Sequence, residues 1–252
     1  MAVSSPPALL DAADRISAAL VASLPGLQGI CLFGSVARGT ATEASDIDLL
    51  VVTDEPGQTV SELKALVAAE LRDAPVSLAA HTPGSLDVYL GRWSRFAAHL
   101  RLEGKVMFDR DGRLGDLLGR EMPISTRAEL EAQRRHLRNY DHPERFGTRF
   151  LFPLVGLYRI GRAVTFAVLA ERGILIFDAE QAFAELGRLT PDRASDLTAV
   201  RRLKPFYDLA TRRDAGASPP FEPTDCLDEL VAAREAVARL LALSSGPSEL
   251  AA

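Results

Sequence analysis

The sequence has 252 residues, of which 47% are hydrophobic, and its net charge is −5 at pH 7. The hydrophobic share excludes a disordered chain, and the negative charge argues against a general nucleic-acid binder or a protein of anionic membrane surfaces. Two cysteines are too few for a disulfide framework, and the first residues lack the basic segment of a signal peptide. We therefore expect a cytoplasmic protein.

The first 120 residues alternate predicted helices and strands. Apolar residues recur at helical spacing over 8–24, and short apolar runs at 29–33 and 46–52 predict the first two strands. Thr59 and Glu62 form a capping-box pattern at the start of a helix. The pattern then predicts that this helix runs to about residue 73, followed by a strand over 75–82, a helix over 85–103 and a strand over 105–109.

The strand pattern ends near residue 120, and the rest of the chain predicts helices. These helices span 127–140 (with a capping pair at Thr126 and Glu129), 153–171, a stretch from Asp178, a stretch from Thr190 to about 213, and 225–243. The stretch 151–170 has the length of a membrane span. Arg159 and Arg162 lie near its middle, and inserting each would cost about 2.5–3.5 kcal/mol. A buried core helix is the better interpretation, and we expect no membrane association.

This order of elements predicts an α+β protein, with a small mixed β-sheet head followed by an all-α helical domain. We place the head at 1–120, a helical bundle at 121–246 and a tail at 247–252. A homodimer is compatible with this organisation.

Two aspartates, Asp46 and Asp48, stand at the start of the second strand. Strand side chains alternate, so both carboxylates are expected on the same face, a few ångströms apart. Unpaired like charges repel at that separation, and a divalent cation between them removes the repulsion. Mg²⁺ favours one or two carboxylates together with substrate phosphates, so the pair predicts a Mg²⁺ site that also holds a phosphate-bearing substrate.

A candidate phosphate-binding segment lies just upstream of the two aspartates. Gly34 lets the backbone approach a phosphate closely, and Ser35 with the free N–H groups of the turn can bind phosphate oxygens. Arg38 adds a cation that can fork onto a phosphate. A Gly-Ser pair or an Asp-x-Asp alone more often marks a turn, but the combination at this spacing is more specific. Metal beside phosphate suits phosphoryl or nucleotidyl transfer, with two metal ions as one version.

The segment GSVARGTATEASDIDLLVV resembles the signature of the DNA polymerase beta-like nucleotidyltransferase superfamily, GSxARG followed by SDIDLxV. The matching residues are Gly34, Ser35, Ala37, Arg38, Gly39, Ser45, Asp46, Ile47, Asp48 and Val51. The resemblance implies a mixed-sheet head with Mg²⁺ on Asp46 and Asp48. It also implies that Gly34, Ser35, Arg38 and Ser45 contact a nucleoside triphosphate, with ATP the expected one. The implied reaction moves a nucleoside monophosphate to an acceptor and releases pyrophosphate.

The sequence departs from this pattern at the next strand, which usually supplies a third carboxylate. Ser77 stands at that position. His81 shares a face with Ser77 in a regular strand, and could be a base, a ligand beside the metal or a satisfied polar residue. Arg159 and Arg162 lie on one face of an apolar helix, where they either pair with acids of their own domain or face the cleft.

Two function hypotheses follow. The first is a Mg²⁺-dependent nucleotidyltransferase whose acceptor is a hydroxyl of a small molecule, such as an antibiotic, or of a protein or RNA end. The second, kept open by Ser77, is a catalytically degenerate nucleotide-binding head that acts as a regulatory, toxin–antitoxin or defence partner module.

Overall fold

The computed structural model describes residues 6–42, 45–54, 59–69, 75–92, 94–121, 123–147, 149–212 and 226–244. The chain divides into two compact units, Met1–Ile124 and Ser125–Ala252. A mixed sheet with an N-terminal helix forms the first unit and helices form the described part of the second, which confirms the predicted α+β class. The predicted tail at 247–252 lies outside the described residues.

The first unit alternates helices and strands in the predicted order. Its elements are α1 (Pro6–Ser23), β1 (Leu27–Phe33), α2 (Gly34–Arg38), β2 (Ile47–Thr53), α3 (Val60–Leu66), β3 (Val76–His81), α4 (Pro83–Arg92), α5 (Ser94–Glu103), β4 (Lys105–Asp109) and α6 (Arg113–Gly119). The predicted helix over 85–103 is described as α4 and α5, on either side of residue 93. The capping box of α3 is confirmed, because the Glu62 N–H donates to Thr59 Oγ1 at 3.2 Å and the Thr59 N–H donates to Glu62 Oε2 at 2.7 Å.

The four strands form one mixed sheet in the order β3-β2-β1-β4. β1 is antiparallel to both β2 and β4, whereas β2 and β3 are parallel. Each face of the sheet is covered, which explains why the central strands are almost continuously apolar. Ile30, Leu49 and Val51 pack on one face with α1 and α3, and Leu50 and Val52 pack on the other with α4, α5 and α6.

The described residues of the second unit, 125–147, 149–212 and 226–244, form helices joined by loops and contain no strand. Its helices are α7 (Arg127–Leu137), α8 (Leu151–Glu171), α9 (Ala179–Leu189), α10 (Ala194–Arg201), α11 (Lys204–Arg212) and α12 (Leu227–Leu241), with 3₁₀ turns at Arg138–Tyr140, Pro143–Phe146 and Pro191–Arg193.

Helix α8 forms the centre of the second unit. It has the length and hydropathy of a membrane-spanning helix, but 67% of its most apolar stretch is buried within the protein. Gly161 lets other helices approach closely, because a Cβ there would lie only 2.6 Å from Val200 Cγ1 of α10 and 3.3 Å from Val237 Cγ2 of α12. The predicted core helix is therefore confirmed.

Two local predictions in the second unit are wrong. Thr126 does not cap α7, because its hydroxyl donates to Glu171 Oε1 at 3.0 Å instead of accepting a bond from Glu129. The long helix predicted from Thr190 is divided into a 3₁₀ turn, α10 and α11. Pro205 accounts for the second break, since a proline ring is tolerated in the first turn of a helix and disrupts the interior.

Candidate active site

Asp46 and Asp48 lie on one face of the sheet at the beginning of β2. The intervening Ile47 is fully buried, whereas both aspartates are half-buried. Because side chains alternate along a strand, the two carboxylates share the face that Leu50 and Val52 continue beneath α4, α5 and α6. This is the arrangement that the sequence predicts.

Gly34 brings the backbone directly against the Asp48 carboxylate. It follows the last residue of β1, and the strand register pairs that residue, Phe33, with Asp48. Gly34 has a φ of +76°, a conformation that L side chains rarely adopt. A Cβ at this position would also collide with Asp48 Oδ2 and lie 3.1 Å from its Cγ. Both the backbone and the carboxylate therefore require glycine here.

The turn after Gly34 is short and closed by backbone hydrogen bonds. The Gly39 N–H donates to the Val36 carbonyl at 3.2 Å, and the Thr40 N–H donates to the Ser35 carbonyl at 3.0 Å. Gly39, at φ +75°, ends α2. The Ser35 side chain is half-buried, and its hydroxyl has no hydrogen-bond partner among the described residues.

Ser45 closes the loop that leads into the aspartate pair. The residue is 5% exposed. Its Oγ accepts a hydrogen bond from the Thr42 N–H at 2.9 Å, and its own N–H donates to the Thr42 carbonyl at 2.9 Å. The hydroxyl thus stabilises the loop that precedes Asp46, and the predicted contact of Ser45 with a nucleotide stays a prediction.

Ser77 lies directly beside Asp48 in the sheet. The parallel register of β2 and β3 pairs the two residues, and Ser77 is exposed. No group of three or more His, Cys, Asp or Glu side chains that could hold a metal occurs in the described part of the chain. The candidate metal-binding donors at this end of the sheet are therefore two carboxylates with a hydroxyl beside them.

Comparison with known proteins identifies the domain that carries this site. A sequence model of the family described as "Nucleotidyltransferase domain" matches residues 14–86, a range that contains both aspartates, Gly34 and Ser77. The N-terminal part of the chain is a nucleotidyltransferase domain of the DNA polymerase beta-like type. No curated protein matches the sequence significantly.

Solved structures extend the comparison to most of the chain. The spectinomycin adenyltransferase AAD(9) from Enterococcus faecialis, with ATP and spectinomycin, is 13% identical and has a TM-score of 0.56, over 92% of this chain and 99% of that one. A nucleotidyltransferase-like protein from Exiguobacterium sibiricum is 18% identical, over 92% of this chain and 74% of that one, with a TM-score of 0.38. A toxin–antitoxin structure with AMP-PNP is 22% identical, over 51% of this chain and 92% of that one, with a TM-score of 0.33. At 13% identity, the similarity to AAD(9) shows a shared fold.

Arg38 of the nucleotidyltransferase domain holds the phosphate-loop candidate in place. Its Nη1 lies 2.7 Å from Glu103 Oε2 at the end of α5, and the two side chains are only 16% and 20% exposed. This ion pair joins α2 to α5. The structure therefore gives Arg38 a partner inside the domain, and its guanidinium supports the loop.

His99 and Glu103 lie close to Arg38, and nothing in the sequence pattern marked them as part of its surroundings. His99 Nε2 lies 3.0 Å from Glu103 Oε2. The pKa of His99 is lowered from 6.5 to about 4, mainly by burial and to a smaller extent by the nearby cations Arg38 and Arg95. The Glu103 carboxylate, which also pairs with Arg38, does not offset these effects. The spacing of His99 and Glu103 on one helix face was visible in the sequence. The contact of Glu103 with Arg38, which stands 65 positions earlier, was not visible in the sequence.

His81 lies far from the aspartate pair along the same sheet. It pairs with Val52, four positions beyond the Asp48–Ser77 pair, which corresponds to about 13 Å along the strand. Its ring lies 4.9 Å from that of Tyr89, and burial lowers its pKa below 6.5. The structure therefore groups Ser77 with the aspartates and places His81 elsewhere in the domain.

Arg159 and Arg162 belong to the second unit, where both contact the ring of Tyr207. Their guanidinium carbons lie 5.5 and 5.3 Å from the ring centroid, within the range of cation–π contacts. Among the described residues no carboxylate lies within ion-pair distance of either arginine. The interpretation that acids of their own domain pair with them is therefore wrong for the described part of the chain, and an aromatic ring takes that place.

Proposed function

We propose that the chain is a Mg²⁺-dependent nucleotidyltransferase, which transfers a nucleoside monophosphate from a nucleoside triphosphate to a hydroxyl acceptor and releases pyrophosphate. The observation that carries the proposal is the packing of the Asp48 carboxylate against the side-chain-free backbone of Gly34. This contact supports the proposal because it brings a candidate metal ligand next to the candidate phosphate-binding turn that begins at Gly34.

The residues at this end of the sheet fit Mg²⁺. Asp46 and Asp48, both half-buried, supply hard oxygen donors at the beginning of β2. Mg²⁺ prefers one or two carboxylates combined with substrate phosphates, so this donor set is sufficient. When bound, the ion would offset the negative charge of the phosphates and polarise them.

The remaining residues would bind and orient the nucleotide. The backbone at Gly34 and the hydroxyl of Ser35 would bind phosphate oxygens, since glycine permits close approach and the hydroxyl is without a protein partner among the described residues. Ser45 would fix the loop before Asp46, and Arg38 would fix α2 through Glu103. ATP is the first nucleotide to test, because AAD(9) was solved with ATP.

The proposed acceptor is a hydroxyl of a small molecule. The fold shared with AAD(9) over 92% of the chain makes spectinomycin the first compound to test, followed by aminoglycosides. Protein and RNA ends are the remaining acceptor classes.

Calorimetry and an enzyme assay test the proposal in two steps. ATP is titrated into the full chain with and without Mg²⁺, and pyrophosphate release is then measured over the panel of acceptors. The double variant Asp46→Ala, Asp48→Ala should lose Mg²⁺-dependent ATP binding while its circular dichroism spectrum and melting temperature stay close to those of the parent. Unchanged affinity in this folded variant would contradict the proposal.

A specific observation also supports the second candidate, a nucleotide-binding head without catalysis. Ser77 occupies the strand position beside Asp48, and a hydroxyl cannot accept a proton from the acceptor as a carboxylate can. Mg²⁺-dependent ATP binding without pyrophosphate release from any acceptor would favour this candidate. Release of pyrophosphate with one acceptor would exclude it.

A further inference from the structure

A pocket of about 430 Å³ lies between α7 and α12 of the second unit. The lining residues of each helix are three, four or seven positions apart, and residues at these spacings share one helix face. The lining residues used below are Arg134 and Leu137 at the end of α7, Arg138 in the 3₁₀ turn that follows it, and Arg234, Ala238 and Leu241 from α12. The volume falls in the range of roughly 300–1,000 Å³ that small-molecule pockets occupy.

Three arginines line the pocket, and among the described residues only Arg234 has an acidic partner. Arg234 pairs with Asp141. Arg134 Nη2 donates to the neutral Oγ of Ser244 at 2.6 Å. In the described ranges no carboxylate lies within ion-pair distance of Arg134 or Arg138. The pocket therefore carries surplus positive charge, which favours an anionic occupant.

The floor of the pocket is apolar. Leu137 and Leu241 are each 5% exposed, and Ala238 lies beside them. In addition, Nε of Arg234 is buried and has no hydrogen-bond partner among the described residues. Buried donors are normally satisfied by a protein, water or ligand oxygen. Cations above an apolar surface suit an organic anion better than a hydrated inorganic ion.

Helix capping explains only part of this arrangement. Arg134 stands in the last turn of α7, where a cation interacts favourably with the helix dipole. Arg234 lies in the middle of α12, so the dipole does not account for it. A carboxylate is saturated by one bidentate guanidinium, whereas the three oxygens of a phosphate monoester can be shared among several.

We propose that the pocket between α7 and α12 binds a small organic phosphate, a phosphate monoester with an apolar or aromatic body. The arginines would hold the phosphate, and Leu137, Ala238 and Leu241 would contact the body. This site is independent of the proposed triphosphate site in the first unit.

Titration of AMP into the full chain in EDTA tests the proposal, because Mg²⁺-dependent binding at the first unit is then suppressed. Arg138→Gln should weaken AMP binding by roughly tenfold or more. Arg135→Gln is the matched control, because Arg135 is an exposed neighbour on the same helix that does not line the pocket. It should leave the affinity unchanged. Melting temperatures confirm that both variants are folded.

Three comparisons decide the outcome. Adenosine should bind much more weakly than AMP, and inorganic phosphate should also bind more weakly, because each lacks one half of the ligand. Equal affinity of adenosine and AMP would overturn the assignment of a phosphate site. Equal weakening by Arg135→Gln and Arg138→Gln, or no binding of AMP at millimolar concentration, would likewise overturn it.

Discussion

Replacing Gly34 by alanine tests how closely the Asp48 carboxylate depends on the backbone beside it. The new Cβ would overlap Asp48 Oδ2 and lie 3.1 Å from Cγ, so the carboxylate must turn away by roughly 1 Å. The positive φ of residue 34 adds a backbone cost of about 1–2 kcal/mol for an L residue. We expect a folded protein, modestly destabilised, in which one of the two metal-binding groups has moved.

Gly39→Ala provides the matched control. Gly39 has a φ of +75°, almost the same as Gly34, but a Cβ there meets no atom within 4 Å. The two variants should therefore lose similar stability, about 1–2 kcal/mol each, because both incur the same left-handed backbone cost. Only Gly34→Ala should disturb Asp48, so any difference between them isolates the carboxylate contact.

The measurements are urea denaturation for stability and calorimetry of ATP with Mg²⁺ for binding. Gly34→Ala should weaken Mg²⁺-dependent ATP binding by about 10–100-fold, the loss that disturbing the support of a metal ligand usually causes, while Gly39→Ala should bind as the parent does. If both variants bind equally well, the carboxylate contact has no part in nucleotide binding and our reasoning about the site fails.

Three further predictions concern the surroundings of the aspartate pair. Arg38→Gln should cost about 2 kcal/mol in urea denaturation, because it removes a partly buried charged hydrogen bond to Glu103, and should lower ATP affinity less than Gly34→Ala does. The pKa of His99 is about 4 in the folded protein and 6.5 in the unfolded chain, so the unfolded state binds the proton first as the pH falls. Between pH 7 and pH 5 the free energy of unfolding of the parent should therefore fall by about 2 kcal/mol more than that of His99→Gln. Equal losses would show that His99 is not held neutral. Ser77→Asp should raise pyrophosphate release at least tenfold if the missing carboxylate limits catalysis, and no change would show that it does not.

Local pattern predicted most of the fold of the first unit. The runs at 29–33 and 46–52 became β1 and β2, and Thr59 capped α3, because in each case neighbouring residues in the sequence decide the structure. The prediction for Thr126 failed for the opposite reason. Its hydroxyl bonds to Glu171, 45 positions later, and this tertiary partner replaced the local cap. Pro205 was visible in the sequence and should have divided the helix predicted from Thr190.

In the candidate site, too, local pattern could be predicted from the sequence and tertiary contacts could not. The spacing of Asp46 and Asp48 predicts both carboxylates on one face, and the alternating burial of residues 45–48 in the structure fits this prediction. The ion pair of Arg38 with Glu103 could not be predicted, because nothing in the sequence brings α2 to α5 before the sheet forms. The contact of Arg38 with a phosphate therefore stays a prediction, to which the structure adds the ion pair with Glu103.

Binding a nucleotide and transferring it place different demands on the end of the sheet. In the proposed function, two carboxylates and the turn that begins at Gly34 would hold a triphosphate with its cation. Transfer additionally requires a group that takes the proton of the acceptor hydroxyl, and the strand position beside Asp48 offers only Ser77. An acceptor that is easily deprotonated would need no such base, whereas an ordinary alcohol would. The rate of pyrophosphate release should therefore be measured with acceptors of decreasing acidity in the parent and in Ser77→Asp. The rate should fall more steeply with decreasing acidity in the parent if Ser77 limits catalysis. The same dependence of rate on acceptor acidity in the two proteins would show that Ser77 does not limit it.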